Sequence, residues 1–222
     1  TAYPEALQYD GLHGRWDAQS AGFGPYEQVR LAKDSGGIFF VLPSDEENLV
    51  TTQQKEDRKY RFESMREYSP LLASRNDYAE ERDKSEFRRT IWDVIVKLNP
   101  HRDQELNILD RWYPGDEEGF RNEAKKYFGR ALRAMGMLNE AIATLDGIKP
   151  LRDEEASSRW RANYDLAAAQ VLAYRVRLFQ YLLAMDKHAK DFPEMKNPKN
   201  NRWDLRRTQR MLPPDEEKVK IT

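Results

Sequence analysis

The chain has no cysteine among its 222 residues, which excludes disulfide crosslinks, a cysteine nucleophile and thiolate metal sites while leaving the compartment open. Histidine is nearly as scarce. His13, His101 and His188 fall in three separate segments without ligand spacing, so no shared metal or catalytic centre is expected of them. Apolar residues make up 39% against the roughly 45–50% of an average domain, and charged residues 34% against about 25%. Long solvated helices fit that balance. The net charge of -1, from 37 basic and 38 acidic side chains, supplies no global field for nucleic acid or an anionic surface, so such binding needs a local patch. No run reaches the roughly 20 apolar residues of a membrane-spanning helix, and the first residues lack the zones of a signal peptide.

Catalytic patterns are missing too. Gly22-Phe23-Gly24 precedes a helix but follows no apolar strand, and both a third glycine and a Lys-Ser/Thr pair are absent, so no phosphate loop is expected. No Gly-x-Ser-x-Gly elbow supports a serine nucleophile. The acidic clusters Asp45–Glu47, Asp116–Glu118 and Asp215–Glu217 sit in polar stretches where water keeps both carboxylates ionised, and a helix-start role suits Asp116 better. The chain alone is therefore expected to carry no enzymatic activity and no cofactor.

What the sequence does contain is helix. Pro25 in a first turn, apolar positions at Tyr26, Val29 and Ala32, and Gly36-Gly37 beyond the last turn predict a short helix. The unbroken apolar run Ile38 to Leu42 then reads as a strand covered on both faces. Residues 1–20 read as irregular, with one helical turn at Pro4 to Gln8, and 44–73 as a polar linker. From Ser74, a predicted N-cap, helices follow one another. Ser74 to Lys84 is charged; Ser85 to Asn99 carries Phe87, Ile91, Val94 and Leu98 on one face before Asn99-Pro100 ends it. A helix opening at Asp116 is expected to turn or kink at Gly136, with a second short helix over Asn139 to Leu145. The longest is predicted from about Asp153 to Lys187, where Trp160, Tyr164, Ala167, Val171, Tyr174, Leu178 and Leu182 form a packing seam. Such stripes serve an internal core or a dimer seam equally well.

Two resemblances attach to these residues. Gly22-Phe23-Gly24-Pro25-Tyr26 through Ser35-Gly36-Gly37-Ile38-Phe39-Phe40 resembles the last helix and last strand of a von Willebrand factor type A domain, a Rossmann-like fold. Met65-Arg66-Glu67-Tyr68-Ser69-Pro70-Leu71 and Arg161-Ala162-Asn163-Tyr164-Asp165-Leu166 are similar to helical extensions of large bacterial proteins carrying such a domain. The resemblance implies that the chain, which begins with Thr, is the C-terminal part of a larger protein whose upstream strands would complete the sheet. The family's metal sits in an Asp-x-Ser-x-Ser loop; Asp17-Ala18-Gln19-Ser20 lacks that pattern, so no metal ligand carries over. Met135 to Leu145 resembles the middle of a tetratricopeptide unit, though no 34-residue period recurs and a generic helical hairpin accounts for it as well.

The expected fold is mainly α, helical hairpins packed around Phe87, Ile91, Phe128, Trp160, Val171 and Leu178. It divides into an αβ segment (1–43), a linker (44–73), a helical domain (74–192) and a basic, loosely ordered tail (193–222). The expected function is a non-enzymatic protein-interaction or scaffold module with a protein partner. The alternative is nucleic-acid binding through Lys196, Lys199, Arg202, Trp203, Arg206, Arg207 and Arg210, where arginine meets phosphate and tryptophan stacks on a base.

Overall fold

The computed structural model describes residues 5–15, 26–37, 66–68, 73, 75–195, 197 and 199–205. Helices dominate them: α1 (Tyr26–Asp34), α2 (Arg75–Asp83), α3 (Glu86–Lys97), α4 (Glu117–Gly147), α5 (Leu151–Glu154) and α6 (Ser158–Asp191). Two 3-10 turns lie at Arg66–Tyr68 and Gln104–Leu106. The strands are β1 (Tyr113–Pro114) and β2 (Arg202–Trp203), an antiparallel pair with Tyr113 opposite Trp203.

Helices α4 and α6 form a long antiparallel hairpin. The Tyr164 hydroxyl donates to the Leu145 carbonyl at one end (3.0 Å), and the Phe120 and His188 rings meet at the other (4.6 Å). Its seam is built from Phe120, Ala124, Ala131, Ala134, Leu138, Ala141 and Leu145 against Trp160, Tyr164, Ala167, Val171, Leu178 and Leu182, all buried. Alanine at the centre of α4 lets the two helix axes approach closely, and spacings of three and four keep the stripe facing its partner. Helix α3 lays Phe87, Ile91, Val94 and Ile95 on the hairpin, with Phe87 against Tyr164 (5.3 Å between rings).

Local chemistry sets several ends. Ser85 accepts from the Arg88 amide, Asp116 from that of Gly119 and Ser157 from that of Trp160, each satisfying a donor the first helical turn leaves open. Helix α1 stops where Gly36 turns left-handed (φ 71°) and the Gly37 amide bonds the Ala32 carbonyl (2.7 Å). The predicted strand Ile38–Leu42, the Ser74 cap and nearly all of the linker lie outside the described residues.

Several sequence expectations are corrected. Gly136 does not turn or kink the chain: α4 runs unbroken from Glu117 to Gly147 and contains the separate helix expected at Asn139 to Leu145. The seam keeps its period through Ala134, Leu138 and Ala141, and that packing outweighs the roughly 1 kcal/mol helix penalty of one glycine. The tetratricopeptide-like hairpin is therefore absent at this position. The long helix starts at Ser158, not Asp153, because Glu155 turns inward between Arg88 and the Ser157 amide, leaving Leu151–Glu154 as a separate turn. Residues 5–8 form no helical turn; they open a strap in which Leu7, Tyr9 and Leu12 are buried and Tyr9 bridges Gly14. Of the six expected core residues, Phe128 is only partly buried and the other five are buried.

The strap is tied to distant elements. Glu5, almost fully buried, accepts from the Tyr78 hydroxyl of α2 (2.5 Å) and pairs with Arg159 of α6. Burial nevertheless holds its carboxyl above the ordinary range, against the lowering effects of Arg159 and Tyr78. Asp10 pairs with Arg177 (2.6 Å), while the Asp10 carbonyl accepts from the same guanidinium (2.8 Å). Gly11, at φ 97°, lies so close to Tyr174 that an added Cβ would sit 3.0 Å from its carbonyl oxygen.

Candidate functional site

The tail carries the residues of the alternative, nucleic-acid reading, and the structure fixes part of it against the hairpin. Pairing of β2 with β1 continues as the Leu205 amide donates to the Asp110 carbonyl (2.8 Å). Gly115 makes this approach feasible, since a Cβ there would meet Asn201 backbone atoms at 2.7 Å. Trp203 thereby packs with His188 (4.5 Å between rings) and Phe192 (6.1 Å), while Phe192 also meets Phe120 (5.8 Å). Phe192 reaches this cluster by ending α6 at φ 26°, a left-handed turn that swings the chain back across the helix end.

Polarity inside the cluster is uneven. The Trp203 Nε1 and His188 Nε2 atoms are buried without a hydrogen-bond partner. Burial lowers the His188 pKa, partly offset by the nearby Asp191 carboxylate, so the ring favours its neutral form. Beneath it the Tyr113 and Tyr181 hydroxyls share a buried hydrogen bond (2.8 Å), and desolvation pushes Tyr181 up to about 12.

On the outer side of β1 stands Trp112. This residue is 68% exposed, yet its backbone is left-handed (φ 65°), a conformation costly for a bulky side chain. Two tail residues hold it: the Asp204 carboxylate accepts from the Trp112 amide (2.7 Å), and the Arg202 guanidinium lies over the indole (5.8 Å to the centroid). Arg111 is exposed beside it, 3.9 Å from an Asp110 oxygen that also lies 3.5 Å from His13 Nε2.

Of the tail residues singled out by sequence, Lys199 and Arg202 are exposed and Trp203 is half-buried among aromatics. Lys196, Arg206, Arg207 and Arg210 lie outside the described residues, as do Asp45–Glu47 and Asp215–Glu217. Trp112 was missed by sequence reasoning. It belongs to no periodic stripe, and only its place between Arg111 and Tyr113-Pro114 could have drawn attention. The three histidines have different surroundings: His13 faces Asp110, His101 is exposed in a turn and His188 lies in the aromatic cluster. Among the described residues no group of three or more His, Asp or Glu could hold a metal ion, and no helix is long and apolar enough to cross a membrane. A shallow groove between α3 and α4, lined by Asp93, Lys97, Met137 and Glu140, encloses about 50 Å³, well below the few hundred that small-molecule pockets take.

A second surface lies on the hairpin itself. Leu132 on α4 is 54% exposed and Leu172 on α6 is 44% exposed. Each follows directly after a fully buried seam residue, Ala131 and Val171. A rotation of 100° in the same sense on two antiparallel helices brings both to one side of the pair, about a turn apart along the axis. Phe128 and Met135, half-buried, flank Leu132 there. No family model, curated protein or solved structure matches the chain.

Proposed function

We propose that the chain is a non-enzymatic interaction module that engages a protein partner through one face of the α4–α6 hairpin, as an extension of a larger protein of the von Willebrand factor type A kind. The observation that carries the first part is the shared exposure of Leu132 and Leu172 on one side of the α4–α6 pair. Grouped with the half-buried Phe128 and Met135, these two leucines offer the apolar centre an interface needs. The second part rests on the resemblances of Gly22 to Phe40, Met65 to Leu71 and Arg161 to Leu166.

Replacing Leu132 and Leu172 together by serine tests the reading. The double variant is expected to keep the parent's thermal midpoint within a degree or two, since both side chains are solvent-facing, while losing its partner in pull-downs from the source cells. An unchanged set of captured proteins would remove the hairpin face as the docking surface. Sequencing the transcript upstream of Thr1 tests the second part, which requires an apolar strand followed by Asp-x-Ser-x-Ser.

A further inference from the structure

We infer that Trp112 is the stacking platform of a single-stranded nucleic-acid site, with Arg202, Arg111 and Lys199 as its phosphate contacts. The inference begins from backbone strain. A tryptophan in a left-handed conformation is destabilising, glycine would fit there without cost, and the ring is not recovered as core because most of it faces water. Among the described residues, the one ring contact that holds the side chain comes from an exposed tail residue, Arg202, and not from the core. The Trp112 backbone is nonetheless held in place, by the Asp204 carboxylate on its amide and by the β1–β2 pair next to it. A preorganised indole presented to solvent suits a flat, apolar ligand, and every nucleobase provides one.

Charge decides between a base and an apolar peptide. Arg202 lies over the indole, Arg111 precedes it in the chain, and both Arg202 and Lys199 are exposed. Asp204 and Asp110 are both engaged, the first on the Trp112 amide and the second beside His13 and Arg111. In the described part of the tail after residue 196 the cations Lys199 and Arg202 stand against the single acid Asp204. Polyanionic backbone with stackable bases matches that surface better than an uncharged segment. The site goes beyond the protein-docking reading and shares no residue with it.

The test is fluorescence anisotropy with labelled oligothymidylate and oligouridylate of about 12 nucleotides at low salt. The wild-type chain is expected to bind with an affinity that falls as salt rises, and the ratio between the two probes tells DNA from RNA. Trp112→Gly is expected to weaken binding fivefold or more while leaving the thermal midpoint unchanged or raised, a combination a structural role for the indole would not give. Trp112→Phe retains binding within about twofold, since it keeps a stacking face. Arg202→Ala reduces the salt slope by about one. The Leu132→Ser, Leu172→Ser double variant binds as wild type, so failure of the docking surface is read separately. Absence of binding by wild type at low salt, or equal binding by Trp112→Gly, overturns the inference. So does polyglutamate binding with the same dependence on Trp112, which would make the ligand an acidic protein.

Discussion

Glu155 is buried where α5 gives way to α6, and its carboxylate holds a two-pronged bond to Arg88 of α3 (2.6 and 2.8 Å) while accepting from the Ser157 amide (2.9 Å). Arg88 first, and the amide with it, keeps the acid below the ordinary carboxylate range despite burial. The folded pKa is thus lower than the unfolded one, near 4.5, so the associated stability is complete above that value and is lost as pH falls through the folded pKa. Denaturant titrations across pH should show a steeper acid limb for wild type than for Glu155→Gln. Arg88→Ala, which leaves the carboxylate without its cation, should cost about 3 kcal/mol at neutral pH and less once Glu155 is protonated. Gly11→Ala combines a left-handed φ with a contact against Tyr174 backbone, and a loss of about 2 kcal/mol in urea unfolding is expected. Single residues divide sharply in how legible they are. Asp116 and Ser85 announce their capping roles through their position before a helical stripe. Trp112 does not, because it belongs to no stripe and its amide is held by Asp204, a residue 92 positions away.

At the scale of elements, periodicity carries the reading and punctuation misleads it. The seams of α3, α4 and α6 were legible because apolar residues recur at the spacing of helical turns. The continuity of α4 was not, since glycine stops a helix only where no tertiary seam holds it together. Gly136 has nothing within 4 Å of an added Cβ. Gly136→Ala should accordingly raise stability by about 1 kcal/mol, seen as a thermal midpoint some 2–4 °C higher. A true kink there would give the opposite sign. The false start at Asp153 has a similar origin: helix-favouring residues continue through Glu155, and only the distant Arg88 draws that side chain out of the helix.

For the whole molecule, the sequence made the helical class evident and hid what closes it. Neither β1 nor β2 exceeds two residues, too short for any alternation to register, and each exists only because the other does. The tail's contribution is measurable through Trp203. Trp203→Ala should cost about 2 kcal/mol by opening a gap beside Phe192 and His188. Trp203→Phe should cost less than half of that, because the indole N–H it removes has no partner to lose. Differential scanning calorimetry of both variants separates ring packing from hydrogen bonding.

The strap also sets an order of events during synthesis. Asp10 meets its partner Arg177 only after 167 further residues have been added, and Glu5 waits 154 for Arg159. At the usual pace of translation that interval is roughly 10–30 s. Throughout it the strap that carries Leu7, Tyr9 and Leu12 lacks the α6 residues that anchor it. The beginning of this chain is among the last parts to find its place.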